Sequence, residues 1–161
     1  MPAQQPKRRS LTFHDLDDIV RDIETLRAKS YDAAGQWNLT QVCRHLEEWM
    51  RFPLDGFPRM AWPLRMIFSV VRSTFGKKAL RNVLAKGAMP SGKPTLPQTV
   101  AAPDGDEAQA VADLSDLVRR FKRHNGPVHP SPLFGAMDLA TATRLQLIHC
   151  AHHLSFLVPR S

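Results

Sequence analysis

Two cysteines, one tyrosine and no apolar run of bilayer length set the first limits on this chain of 161 residues. Cys43 and Cys150 both fall in segments that read as helices, so no disulfide framework is expected and a reducing cytoplasm is the expected compartment. A membrane-spanning helix needs about 18 or more consecutive apolar residues, and the sequence has no such stretch. Lys7, Arg8 and Arg9 lead through Thr12-Phe13-His14-Asp15 straight into a charged segment, without the apolar region that a twin-arginine export signal requires. At this length one domain, residues 1–161, can bury a sizeable core without staples.

Acidic residues are missing from two places. The formal charge is +7, yet residues 1–13 carry three bases and no acid, and residues 56–103 carry eight bases and no acid. The remainder holds eleven bases against fifteen acids, so the positive excess belongs to a flexible basic tail (1–10) and to an insertion (53–105). The charge comes with no nucleic-acid motif and no interleaved stacking aromatics, and no nucleic-acid partner is expected. Within the insertion, apolar residues from Trp62 to Phe75 alternate with Arg65 and Arg72. Such a segment can lie on an anionic membrane surface, but packing over the end of a helical bundle or in a homodimer contact is the favoured expectation, with no stable membrane insertion.

What remains has helical spacing. Leu16, Ile19, Val20, Ile23 and Leu26 recur on one face of a helix over about 13–29, with Thr12 and Asp15 resembling a capping box. Asn38 caps a second helix over about 39–52, with Gln41 at its third position and Trp37 placed to staple against Val42. Prolines and glycines break residues 53–103 into short pieces, with helical runs at about 62–74 and 76–86 and a Pro-rich connector from Pro90 to Pro103. A third long helix follows over about 106–124, and Asp138 is placed to cap a fourth.

The histidines sit where that pattern is most apolar. In the last helix His149, His152 and His153 are surrounded by Leu145, Ile148, Cys150, Ala151, Leu154, Phe156 and Leu157, and a helix apolar on nearly every side is a buried one. Relative to His149, His153 lies at about +40° and His152 at about −60°, so either can share a metal ion with it. The i, i+4 pair is preferred because zinc-binding helices use that spacing. His45 lies on the inward face of helix two between Val42 and Trp49, while Cys43, about 200° round the helix, is expected to pack rather than to ligate. Each imidazole alone reads as a core histidine satisfied by backbone; together they describe an all-α bundle with a candidate three-histidine centre.

Two stretches, Gly35-Gln36-Trp37-Asn38-Leu39 with Gln41-Val42 and His45-Leu46, and Leu147-Ile148-His149-Cys150-Ala151-His152-His153-Leu154-Ser155-Phe156-Leu157, resemble the DinB-like (YfiT-like) metal-binding bundle family. Its members join a histidine on the second helix to an H-x-x-x-H pair on the last. Arg8-Arg9-x-Leu11-x-Phe13 and the His129-Pro130 to Phe134-Gly135 loop are similar to one uncharacterised branch of it. The resemblance implies a four-helix bundle whose crossover from helix two to helix three carries the basic helical insertion. It also implies metal ligation by His45, His149 and His153.

Three neutral imidazoles leave a coordination position open, the layout of a catalytic rather than a structural ion, and they suit zinc, nickel or iron. Relatives in that family include thiol-dependent transferases and isomerases. The implied activity is therefore transfer involving a low-molecular-weight thiol and a small-molecule electrophile, or a hydrolase-like reaction. His152 and His129 are the candidate proton carriers, and Arg65 and Arg72 the candidate receivers of an anionic substrate. The competing expectation is a non-catalytic, stress-associated dimeric module that binds metal.

Overall fold

A computed structural model describes residues 6–59, 61–90 and 102–160. The fold is mostly helical, with one small two-stranded sheet. Helix α1 (Leu16–Lys29) starts later than its periodicity suggests, because Asp15, not Thr12, is the cap. The Asp15 carboxylate accepts from the Asp17 backbone N–H at 2.8 Å, and the Asp18 carboxylate accepts from the Asp15 N–H at 3.0 Å. Two carboxylates at the positive end of a helix satisfy its orphan donors better than a threonine hydroxyl can.

Helix α2 (Leu39–Asp55) opens with the expected capping box: Asn38 Oδ1 accepts from the Gln41 N–H at 2.9 Å, and Gln41 Oε1 accepts from the Asn38 N–H at 3.2 Å. It then runs a turn further than expected, with Pro53 inside it, and stops at Gly56, whose φ of 98° suits glycine. Proline is tolerated there because the last turn asks little more of the chain than one missing donor.

The insertion is one continuous rod rather than two pieces. Helix α3 (Trp62–Val71) passes through a π-helical turn (Arg72–Gly76) into α4 (Lys77–Lys86). Gly76 is buried where a Cβ would collide with the Leu133 carbonyl, so the rod is pressed against the loop before α6 at that point. Beyond it α4 packs on α6, with the Arg144 guanidinium donating to Leu84 O at 2.8 Å. In contrast, α3 buries no residue within the chain, so it is not packed over the bundle end. The Pro-rich connector falls, at 91–101, outside the described residues.

Helices α5 (Glu107–Arg123) and α6 (Leu139–Leu154) begin at Asp106 and Asp138, whose carboxylates accept from the Gln109 and Thr141 N–H groups at 3.0 and 2.7 Å. Helix α5 packs against both α1 and α2, and α6 packs against the same two. Their inward residues, among them Ile23, Leu46, Phe121 and Leu154, form one cluster. Each such side chain contributes roughly 1.5–3 kcal/mol by leaving water. Because α6 faces α1 and α2 on one side and α4 on another, its apolar character nearly all round is explained.

The strands escaped sequence reading because three residues show no period. β1 (Tyr31–Ala33) pairs antiparallel with β2 (Leu157–Pro159), Asp32 opposite Val158. This ties the α1–α2 connection to the chain just after α6. The described end of the expected basic tail is also held down. Arg9 makes a bidentate pair with Asp22 of α1 at 2.6 and 2.7 Å, and its backbone N–H donates to Ser155 O at 3.1 Å. The cause is the C-terminal end of α6, whose last carbonyls lack helical donors and attract cations.

Candidate metal centre

Helix α2 delivers His45 to the interior at 3% exposure, and α6 delivers His149 and His153 one turn apart on the facing side. The ring of His45 lies 5.3 Å from that of His149 and 4.5 Å from that of His153, and those two lie 4.8 Å apart, centroid to centroid. One nitrogen from each ring can be chosen so that all three fall within 4.8 Å of one another. Nitrogens sharing a tetrahedral ion at about 2.0–2.1 Å stand roughly 3.4 Å apart, which a modest side-chain rotation reaches. The group can therefore hold one metal ion.

Its electrostatics suit that role. Burial, with the neighbouring His45 and His152 imidazoles, pushes the His149 pKa down to about 3. Burial also drives His153 well below the usual histidine range, helped by His149 and His45. Both are neutral at physiological pH, the form that ligates. No carboxylate or thiol joins the group among the described residues. Cys43 and Cys150 are buried in the core, where loss of water pushes the Cys43 thiol up to about 12 and raises that of Cys150. Neither is available as a thiolate.

Aromatic rings wall the group. Trp37 stacks on His153, 5.5 Å away and 6° from parallel, and lies 5.1 Å from His45. Trp49 meets His149 edge-on at 6.1 Å and His45 at 6.2 Å. A less visible device follows from Pro53. Without an N–H, Pro53 cannot donate to the carbonyl four residues earlier, that of Trp49. That carbonyl accepts instead from Nε2 of Gln146 at 3.3 Å. Gln146 precedes His149 by one turn on the same stripe of α6 and is 6% exposed. With its amide turned this way, Gln146 Oε1 is a buried acceptor without a partner, and Trp49 Nε1 is a buried donor without one.

His152 lies beside the group rather than in it, its ring 5.0 Å from that of His153. Arg8 crosses the ring of Phe156 at 4.2 Å, donates from Nε to Ser155 Oγ at 2.6 Å and from Nη2 to His152 O at 3.1 Å, and approaches His152 Nδ1 at 3.3 Å. A guanidinium can only donate, so Nδ1 of His152 is the acceptor and its proton resides on Nε2. Burial and then the Arg8 charge lower the His152 pKa, in keeping with a neutral ring. His152 and Arg8 line a cleft of about 200 Å³ with Met89, Ile148 and Ala151.

The other residues singled out by sequence lie elsewhere. His129 packs against Gly56 beyond the end of α2, its N–H donating to Pro53 O at 2.9 Å. Ten residues of helix separate His45 from Asp55, about 15 Å along the axis. Arg65 and Arg72 line a groove of about 820 Å³ with Trp62, Pro130 and Pro132, and no histidine of the group is part of its lining.

Residues 5–160 match the model of a family described as "Protein of unknown function (DUF1569)". The chain belongs to the DUF1569 family. No curated protein and no solved structure matches it. In this DUF1569 chain sequence reasoning found the three histidines but missed Gln146, Trp49 and Arg8. The signal for the first two was Pro53, whose lost donor demands another partner for Trp49 O.

Proposed function

We propose that this protein is a metal-dependent enzyme built as a DinB-like four-helix bundle of α1, α2, α5 and α6, with His45, His149 and His153 holding one zinc, nickel or iron ion. The observation that carries this reading is the ligand set itself: three convergent imidazoles, those of His149 and His153 kept neutral by burial, with no fourth side-chain ligand among the described residues. A structural centre is closed by four protein ligands, whereas three leave a position for a reactant. A divalent ion there would lower the pKa of a coordinated sulfur or oxygen and so supply a nucleophile at neutral pH.

The reaction we favour joins a low-molecular-weight thiol to a small electrophile. A carbon–sulfur bond forms as the bond to the leaving group breaks, and the thiol proton goes to solvent. The chain's own residues orient the reactants. His152, with Nδ1 engaged by Arg8, offers Nε2–H as a hydrogen-bond donor to a departing or anionic group, a narrower role than that of a proton carrier. Trp49 Nε1 and Gln146 Oε1 supply one donor and one acceptor to a bound molecule. Trp37 and Trp49 restrict the approach of water. His129, Arg65 and Arg72 are not used in this reading.

The test is metal content by plasma mass spectrometry on protein purified without chelators or a histidine tag. Close to one ion per chain is expected, lost on His45→Ala and on His149→Ala, with thiol consumption in the presence of small electrophiles lost in the same variants. A folded wild type that holds no metal and takes up neither zinc, nickel nor ferrous iron would refute the reading.

A further inference from the structure

We propose that the exposed face of α3 is a docking surface that lays the protein on an anionic lipid bilayer. This inference is independent of the metal centre. Helix α3 buries nothing, and Trp62 is 72% exposed, Met66, Ile67 and Val70 each 59%, and Phe75, in the π-helical turn, 69%. At helical spacing Trp62, Met66 and Val70 form one stripe, with Ile67 on one flank and Arg65 and Arg72 on the other. A contiguous apolar patch of this kind marks an interaction surface rather than ordinary exposure.

Charge selects the occupant. Residues 56–103 carry eight bases and no acid. A second copy docking through the same face would set two such segments against each other with no carboxylate between them, and a two-fold contact pairs like with like. The chain's own residues 91–101 contribute one more base, Lys93, and no acid. Nucleic acid would answer the charge but leave the large apolar side chains in water. A bilayer with anionic headgroups answers both: the stripe enters the acyl boundary while guanidinium and ammonium groups reach the phosphates.

The architecture serves the same end. The α4 half of the rod is fastened to α6, and the turn at Gly76 is pressed on the Leu133 carbonyl, so α3 stands on a fixed base with an open groove between it and Pro130 and Pro132. Arg59, Arg65 and Arg72 line a groove whose wall includes Trp62 and Met66 of the stripe, and at about 820 Å³ it is roomy enough for a lipid headgroup. The result is a peripheral attachment, since no helix among the described residues is long and apolar enough to cross a membrane.

Sedimentation of the full chain with vesicles of phosphatidylglycerol and phosphatidylcholine, against phosphatidylcholine alone, tests this at low and high salt. Binding is expected only to the anionic vesicles and to weaken with salt. Arg65→Glu with Lys78→Glu should weaken it by about fivefold for each charge removed, or more. Met66→Asp with Ile67→Asp should abolish it. All four positions are exposed, and unchanged melting temperatures would show that the variants fold. Equal binding to neutral vesicles, no binding to anionic ones, or binding indifferent to the aspartates would overturn the proposal. So would sedimentation equilibrium showing a dimer that Met66→Asp with Ile67→Asp dissolves, which would give the face to a second copy. Tight binding of a DNA duplex insensitive to the aspartates would give it to nucleic acid.

Discussion

Acid should weaken the metal-free protein well above the pH at which carboxylates protonate. In the fold His149 is held down to about 3 and His153 well below the usual histidine range, mainly by burial, whereas in the unfolded chain each titrates near 6.5. Between those values the unfolded chain binds protons that the folded one refuses, so stability is full above pH 7 and falls as pH drops below 6.5. From pH 7.5 to 5.5 each imidazole accounts for about 1.4 kcal/mol and the pair for about 2.7 kcal/mol. The figure is insensitive to the folded pKa values provided both lie below about 4.5. The carboxylates held low by hydrogen bonds, such as Asp18, Asp55 and Asp113, lose their contribution only near and below pH 4, outside this window. Urea unfolding after chelation should therefore show a midpoint about 1.4 M lower at pH 5.5 than at 7.5, for a slope of roughly 2 kcal/mol/M. The same drop should be about half as large in His149→Leu. A midpoint that stays level across this window, or a variant with the full wild-type drop, would show that the rings are hydrated and protonatable, and the argument for neutral ligands would fail.

Asp22→Ala should cost about 2–3 kcal/mol in urea unfolding, more than an exposed pair would, because it leaves the Arg9 guanidinium partly buried beside Leu154 O. Cys43 and Cys150 should resist a disulfide reagent at pH 8 in the native protein and react at once in urea, since burial keeps both as thiols. Gln146→Leu should change stability by no more than about 1 kcal/mol, because the hydrogen bond to Trp49 O is lost while a buried acceptor without a partner is also removed. Metal content should be unchanged in that variant, and its measured loss would make Gln146 part of the support for the ligands.

Much of this was legible in the sequence because it rests on short-range rules. Asn38 with Gln41, Asp106 and Asp138 mark helix starts by capping chemistry that needs no tertiary context. The inward placement of His45 and the pairing of His149 with His153 follow from 3.6-residue periodicity alone. The choice of His153 over His152, left open by angle, is made in space by the side of α6 that faces α2. The rest depends on partners distant in sequence. Nothing local announces that Arg8 reaches His152, 144 residues away, or that Tyr31–Ala33 pairs with Leu157–Pro159. Nothing local announces either that Trp37, expected over the first turn of α2, stacks on a histidine of α6. In sequence the rod through Arg72–Gly76 reads as two pieces because glycine argues for a break, whereas in the fold it permits the close approach to Leu133.

Local rules are broken mainly around one place, and the cost of breaking them bears on what that place does. Pro53 deprives α2 of a hydrogen bond, and the Gln146 amide sent to replace it leaves Oε1 buried and without a partner. Trp49 Nε1, on the ring that meets His149 edge-on, is in the same condition. Each such atom costs about 1–3 kcal/mol, and two neutral imidazoles packed beside them add the acid sensitivity worked out above. The core elsewhere is mainly apolar, its buried serines and threonine small, and it could have been apolar here, since leucine fits the periodicity at 146 and 149 as well as glutamine and histidine do. A centre that only braced the helices would gain from having those atoms satisfied by the protein itself. A donor and an acceptor kept unsatisfied beside the candidate metal centre fit the proposed function, in which a bound molecule brings its own acceptor and donor, and functional sites are where folds tolerate such costs.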